Sequence, residues 1–246
     1  MIFHFRNTIP SFLLIIFAGV FFSSSKANIS QMPVQTIDTT LNQHSAKNYL
    51  ALGDSYTIGQ SVTERDRYPV QAAKLLNDSG FHFSAPEIIA TTGWTTADLQ
   101  NAINTHRFAY PDYDIVTLLI GVNNQYQGRP QSEYKDQFTR LLQEAIILTG
   151  GKASHVIVLS IPDYSVTPFA NGRNDKNMIA TQIDSFNAIN KEISENYNTG
   201  YLYITDETRK VATDLTLLAS DGLHYSGKEY SIWAGELALQ IEKILQ

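Results

Sequence analysis

The sequence of 246 residues predicts an α/β fold. A central, mainly parallel five-stranded sheet is expected between two layers of helices, which makes a three-layer α/β/α sandwich. Two observations support this class. Short apolar runs alternate with longer helical segments, and such alternation is typical of a parallel sheet covered on both faces. The run over residues 115–120, IVTLLI, is the clearest buried strand in the chain.

The apolar runs and the residues between them predict the elements in order. Strands are expected near residues 48–52, 86–91, 114–120, 155–161 and 201–204. Helices are expected over residues 69–77, 96–104, 132–149, 176–197 and 227–245. Pro69 suits a first helical turn, the pair Gly150-Gly151 suits a helix end, and Ser226 suits the N-cap of the last helix.

The N-terminal residues 1–27 predict a secretory signal peptide. His4 and Arg6 precede an uncharged run over residues 11–22, and the small residues that follow offer a cleavage site after Ala27. The apolar core is short for a membrane span, so cleavage is favoured, with an uncleaved N-terminal anchor as the alternative. We therefore expect a secreted or periplasmic protein with no stable membrane span after cleavage.

The rest of the chain divides into two parts. Residues 28–46, rich in Ser, Thr, Gln and Asn, predict a flexible lead-in. Residues 47–246 suit one domain, and a chain of this length buries an adequate core without disulfides. The sequence has no cysteine, which also excludes lipidation at a lipobox cysteine.

Composition and motifs exclude several classes of partner. A net charge of −6 and a pI near 5.5 argue against nucleic acid, because they leave no general basic surface. Phosphate-loop, dinucleotide and zinc-helix motifs are missing, so no cofactor and no metal is expected. We interpret five histidines without partners at ligand spacing as surface or core residues: His4, His44, His82, His106 and His155.

The first candidate catalytic residues are a serine near the start of the domain and a histidine near its end. Ser55 follows the apolar run of residues 49–52, and Asp221 stands three residues before His224. A serine hydroxyl needs a base and a group that orients that base, so Ser55, His224 and Asp221 suit the roles of nucleophile, base and orienter.

Two further polar groups follow predicted strands. Gly93 comes shortly after the run of residues 88–90, where a glycine permits strained backbone and exposes its N–H. Asn123 follows the strand of residues 115–120. In an open parallel sheet, ligand chemistry collects at the carboxyl ends of the strands, so these groups are expected near Ser55. Taken alone, Gly93 is more typical of an ordinary turn, and Asn123 could equally be a turn former.

These four segments, in this order, resemble the SGNH hydrolases, also called GDSL esterases and lipases, over the whole chain after residue ~45. The resemblance implies a flavodoxin-like strand order. It also implies an oxyanion hole made by the N–H groups of Ser55 and Gly93 and the side-chain amide of Asn123. One departure is Asn124, where many members have Asp, and its effect stays open.

The resemblance implies a serine hydrolase that cleaves carboxylic esters through an acyl-enzyme on Ser55. Small-molecule, lipid and acetylated-carbohydrate esters all stay open as substrates. The alternative is a catalytically silent carbohydrate-binding or scaffold protein on the same fold, which binds ligand without turnover. The segment 161–173 is a candidate specificity loop, and Trp94 and Tyr126 either line the pocket or pack under a loop. Asp163 is a rival carboxylate to Asp221.

Overall fold

A computed structural model describes residues 46–246. The predicted signal peptide, residues 1–27, and all but the last residue of the predicted lead-in, residues 28–46, lie outside the described residues. Five parallel strands form one sheet in the order β2-β1-β3-β4-β5, which confirms the predicted class and the flavodoxin-like order. The strands are β1 (Tyr49–Gly53), β2 (Glu87–Ala90), β3 (Ile115–Leu119), β4 (Val156–Leu159) and β5 (Gly200–Leu202).

Helices connect the strands and follow the last one. Those of the described residues are α1 (Ser55–Ile58), α2 (Tyr68–Asp78), α3 (Thr96–Thr105), α4 (Val122–Tyr126), α5 (Gln131–Ile147), α6 (Lys176–Asn196), α7 (Thr205–Arg209) and α8 (Gly227–Leu245), besides short 3-10 turns. The five long helices lie within two residues of the predicted bounds. The short helices α1, α4 and α7 were not predicted, because one turn is too short to establish a helical period.

The predicted helix boundaries have local causes. The Ser226 hydroxyl accepts a hydrogen bond from the Glu229 N–H and caps α8. Pro69 lies in the first turn of α2, where its missing N–H costs nothing. After α5, Gly150 and Gly151 both have positive φ, at 66° and 83°, and they turn the chain away from the helix.

The register of the sheet brings three strand ends to one level. Gly53 at the end of β1 pairs with Ala90 of β2 on one side and with Leu119 of β3 on the other. The loops that follow these three strands therefore begin side by side. Ser55, Gly93 and Asn123 follow these strand ends within four residues, so the sheet brings the three predicted site residues to one edge.

Helices cover the sheet in two groups. α2 packs against α8, and α5 lies between α3 and α6. The first group is held by aromatic contacts, with the Trp233 ring 4.9 Å from that of Tyr230 and 6.1 Å from that of Tyr68. All three side chains are fully buried. Among residues 46–246, no helix has both the length and the hydropathy needed to cross a membrane.

Candidate active site

The predicted nucleophile lies on a sharp connection from strand to helix. β1 ends at Gly53, and Ser55 is already the first residue of α1, so the direction reverses within two residues. Asp54 caps the helix, because its Oδ1 accepts the Tyr56 N–H at 3.0 Å. Ser55 is only 5% exposed, but it lines a surface cleft. Asp54 therefore has a structural role, which is to hold the turn before Ser55.

Gly53 permits this connection because no side chain would fit there. A Cβ on Gly53 would lie 2.1 Å from the Thr57 hydroxyl oxygen and 2.4 Å from the Leu119 carbonyl oxygen. Both distances are far below van der Waals contact, so α1 can fold back over the end of β1 only beside a glycine.

Asp221 and His224 form a compact turn before α8. The His224 Nδ1 lies 2.7 Å from Asp221 Oδ2. The backbone N–H groups of Leu223 and His224 donate to Asp221 Oδ1, each at 2.9 Å. The carboxylate thus binds both the ring and the backbone of the histidine, which fixes the ring and leaves Nε2 free to face the cleft.

A fourth hydrogen bond reaches Asp221 from a residue that the sequence did not single out. Ser61 donates through its hydroxyl to Asp221 Oδ2 at 2.6 Å. Burial opposes ionisation of the Asp221 carboxyl, but the four hydrogen bonds outweigh it and hold the pKa of Asp221 well below its usual range. These hydrogen bonds therefore favour the charged form of the carboxylate beside the imidazole.

Asp163, the rival carboxylate, is engaged elsewhere. It is fully buried, accepts the Ser165 N–H at 2.9 Å and binds the Arg209 guanidinium at 2.9 Å. Its own backbone carbonyl accepts the Tyr225 hydroxyl. Asp163 therefore holds a loop in place, and Asp221 is the carboxylate that contacts the His224 ring.

The two remaining site residues face the same cleft, Gly93 from the loop after β2 and Asn123 from the first turn of α4. Gly93 has a φ of +86°, a left-handed conformation that glycine adopts without strain. The Asn123 side-chain nitrogen donates to the Trp94 carbonyl at 2.9 Å, which ties α4 to the loop after β2. An amide nitrogen carries two protons, so this contact leaves one N–H for another acceptor.

Asn124 connects α4 to the start of α3 beneath the cleft. It is fully buried, its Oδ1 accepts the Thr96 N–H at 3.0 Å, and its Nδ2 donates to the Thr96 hydroxyl at 2.7 Å. The Thr96 hydroxyl donates in turn to Gln137. The amide that replaces the family's common aspartate therefore anchors the start of α3.

The cleft brings four of the five predicted site residues together. It has a volume of about 240 Å³, and its lining residues are Ser55, Tyr56, Thr92, Gly93, Val122, Asn123, Tyr126, Tyr164, Phe169, Leu223 and His224. Asp221 lies behind the His224 ring. The Tyr56 ring packs edge-on against that ring at 5.6 Å. Ser55 and His224 both line the cleft, without a direct hydrogen bond between their side chains.

Three aromatic rings form one wall of the cleft. Tyr126, Tyr164 and Phe169 contact each other with ring centroids 6.1 to 6.3 Å apart. Tyr126 is 54% exposed and Phe169 is 43% exposed, so both rings offer apolar surface at the mouth. The Phe169 N–H donates to the Gly222 carbonyl at 3.0 Å, which joins the predicted loop 161–173 to the histidine turn.

Other sequence candidates lie outside the cleft. Trp94 packs against the core, although its backbone carbonyl binds Asn123. His106 binds Glu87 and His155 binds the Asp114 carbonyl, so both have structural partners, whereas His82 is exposed. His4 and His44 lie outside the described residues. Within residues 46–246, no cluster of three or more His, Cys, Asp or Glu could hold a metal ion.

The sheet topology and this cleft are together typical of α/β/α hydrolases. The model of the GDSL-like lipase/acylhydrolase family matches residues 51–232, a range that contains all five predicted site residues. The chain therefore belongs to this family, and its class is that of the carboxylic ester hydrolases. The predicted resemblance to the SGNH hydrolases is thus confirmed. No curated protein sequence matches the chain significantly.

Solved structures with the same fold include three bacterial enzymes. The chain resembles the lipase/acylhydrolase from Enterococcus faecalis with a TM-score of 0.64 and 17% identity, over 80% of this chain and 96% of that one. It resembles Axe2, an acetylxylan esterase from Geobacillus stearothermophilus, with a TM-score of 0.59 and 21% identity, over 79% and 94%. It resembles the psychrotrophic esterase EstA from Pseudoalteromonas sp. with a TM-score of 0.58 and 17% identity, over 81% of this chain and 98% of that one. At these identities the likeness establishes the fold.

Proposed function

We propose that the protein is an exported serine esterase that uses Ser55 as nucleophile, His224 as base and Asp221 as orienter. One observation carries the proposal: the contact of 2.7 Å between His224 Nδ1 and Asp221 Oδ2, with His224 lining the same cleft as Ser55. A carboxylate on Nδ1 selects the tautomer in which Nε2 can accept a proton from a serine hydroxyl.

The proposed reaction has two halves. Ser55 Oγ attacks the ester carbonyl carbon while His224 Nε2 takes the hydroxyl proton, and the carbonyl oxygen becomes an oxyanion. The C–O bond to the alcohol then breaks, and His224 returns the proton to the leaving alcohol. Water attacks the acyl-enzyme by the same route and releases the acid and the free serine.

The proposed oxyanion hole consists of the N–H groups of Ser55 and Gly93 and the second N–H of the Asn123 amide. All three residues line the cleft. Such donors are fixed before the reaction begins, so they stabilise the developing charge at little reorganisation cost. The hydrogen bond from Asn123 to the Trp94 carbonyl supports this role, because it orients the amide.

We propose short acyl esters as the substrate class, with the alcohol part lying against Tyr126 and Phe169. A cleft of about 240 Å³ is smaller than the pockets that enclose drug-sized ligands, which have roughly 300–1,000 Å³. It leaves little room for a long acyl chain. The exposed faces of Tyr126 and Phe169 offer flat apolar surface, which suits a sugar ring of an acetylated carbohydrate.

The test is hydrolysis of a series of p-nitrophenyl esters, from acetyl to long acyl, by the full-length protein and by its Ser55→Ala variant. We expect hydrolysis that is fastest for the shortest acyl groups and that the variant loses. Acetylated xylan is the second substrate, and Phe169→Ala should impair its deacetylation more than that of p-nitrophenyl acetate. Equal rates in wild type and Ser55→Ala would favour the silent binding protein instead.

We also propose export through the predicted signal peptide. The support is the sequence pattern of residues 1–27, with its cleavage site after Ala27. When the full-length chain is expressed in a bacterium, we expect the exported protein to have the mass of residues 28–246. Intact protein that stays with the membrane would favour the uncleaved anchor.

A further inference from the structure

The turn that follows α1, residues 59–61, contacts the loops that carry the other site residues. The Ser61 hydroxyl donates to Asp221 Oδ2 at 2.6 Å. The Gln60 side chain accepts the Thr92 hydroxyl at 2.6 Å, next to Gly93. The Gln60 N–H donates to the Ser55 carbonyl at 2.9 Å. One turn is thus tied to the nucleophile, to the loop of Gly93 and to the carboxylate behind His224.

The backbone of Ser61 is unusual. Its φ is +67°, and Ser61 and Asn198 are the two non-glycine residues of the described range with positive φ. This conformation is sterically unfavourable for a residue with a Cβ, and it persists where surrounding contacts enforce it. A glycine would adopt it freely, so the serine side chain itself needs a reason, and the bond to Asp221 supplies one.

The hydrogen bond from Ser61 completes the coordination of the carboxylate. Oδ1 accepts two backbone N–H groups, while Oδ2 accepts the Ser61 hydroxyl and the His224 ring. Without Ser61, the ring would be the one side-chain partner of Oδ2, and the two backbone N–H groups on Oδ1 would carry the rest of the anchoring. The second bond on Oδ2 restricts rotation of the carboxylate further, and with it the orientation of the imidazole that the carboxylate binds.

We propose that Ser61 is a positioning residue for the set of Ser55, His224 and Asp221. It acts through Asp221 on His224 and does not touch substrate. The proposal rests on the proposed function, since it assumes that His224 is the base. It predicts that the hydroxyl of Ser61 affects turnover and leaves substrate binding nearly unchanged.

Two substitutions distinguish the effect of the Ser61 hydroxyl on turnover from the effect of its strained backbone. Ser61→Gly removes the hydroxyl and suits the left-handed backbone, whereas Ser61→Ala removes the hydroxyl and keeps the strain. We expect both variants to lower kcat roughly tenfold, with KM within roughly twofold, as for loss of a hydrogen bond to a charged group. Thr63→Ala is the matched control, because Thr63 donates to Asp66 at the same distance, 2.6 Å, away from the cleft. It should leave kcat unchanged.

A second readout does not depend on turnover. The proton between His224 Nδ1 and Asp221 Oδ2 should give a far-downfield NMR signal, and Ser61→Gly should move it further downfield, because Oδ2 then accepts it more strongly. A kcat in Ser61→Gly equal to that of the wild type would overturn the proposal, whether or not Ser61→Ala has a lower kcat. An NMR signal at the same position in Ser61→Gly and wild type would also overturn it. If the wild type shows no hydrolysis that depends on Ser55, the proposed function fails, whereas the signal still tests the contact.

Discussion

The side-chain amide of Asn123 has two N–H groups, of which one is hydrogen-bonded within the protein and one can bind another acceptor. The engaged N–H donates to the Trp94 carbonyl, and the other lies in a side chain that lines the cleft. If this amide binds the oxyanion, its effect belongs to the transition state, because the charge is absent from the bound ester.

We therefore expect Asn123→Ala to lower kcat by about a hundredfold to a thousandfold, with a much smaller change in KM. Steady-state kinetics on p-nitrophenyl acetate provide the measurement. Asn123→Asp is the second variant, since it keeps the shape and removes the donor, and it should be at least as impaired. A kcat near that of the wild type in either variant would remove Asn123 from the oxyanion hole.

Asn124 illustrates how one residue sets the direction of a chain of hydrogen bonds. Its amide donates to the Thr96 hydroxyl, so that hydroxyl is free to donate to Gln137. An aspartate at this position has no proton to give when ionised, so the Thr96 hydroxyl would have to donate to it instead. Asn124, the departure from the family pattern, therefore fits its partners Thr96 and Gln137 beneath the cleft.

At the scale of elements, the contact between β1 and α1 decides where the nucleophile lies. Gly53→Ala places a Cβ 2.8 Å from the Thr57 Cβ and 2.4 Å from the Leu119 carbonyl oxygen, and neither atom can move without shifting α1 or β3. We expect this variant to lose about 1–3 kcal/mol or more of unfolding free energy and to lose esterase activity.

Gly235 in α8 provides the matched control, because a Cβ there meets nothing within 4 Å. Gly235→Ala should raise the unfolding free energy by up to about 1 kcal/mol, since alanine favours the helix, and should leave activity intact. Urea unfolding of both variants is the measurement. Equal stability of Gly53→Ala and wild type would show that α1 adapts to a larger residue.

For the whole molecule, one buried carboxyl couples stability to pH. Asp54 is fully buried, and its Oδ2 has no hydrogen-bond partner among residues 46–246. Burial raises the pKa of Asp54 from 3.8 to about 7, although the Tyr56 N–H on Oδ1 opposes the shift. Between these two values the folded state holds a proton that the unfolded state has lost. The contribution of Asp54 to stability therefore declines as the pH rises through this window.

Asp54→Asn removes this titration and keeps an oxygen for the Tyr56 N–H. We expect the variant to gain stability relative to wild type as the pH rises from ~4 to ~7, by on the order of a few kcal/mol, and to show no further change above that. Urea unfolding across this pH range measures the difference. Stability curves that run parallel for the two proteins would mean that Asp54 does not titrate in this window.

The sequence by itself determined the alternation of strands and long helices and their approximate bounds, and it singled out Ser55, Gly93, Asn123, Asp221 and His224 as candidate site residues. These features depend on local periodicity, caps and short motifs, which the order of residues contains directly. The spacing of Asp221 and His224, three positions apart, also belongs to this group, although it does not by itself establish their contact. The one-turn helices were missed because a single turn has no period to detect.

Only the tertiary structure decided which distant groups meet. It assigned Asp163 to Arg209 and Asp221 to His224, placed Tyr126 in the cleft and Trp94 against the core, and joined Ser61 to Asp221 across 160 positions of sequence. Such contacts depend on strand order, register and the packing of loops. Many residue pairs have suitable chemistry, and the fold selects the few whose atoms come within hydrogen-bond distance.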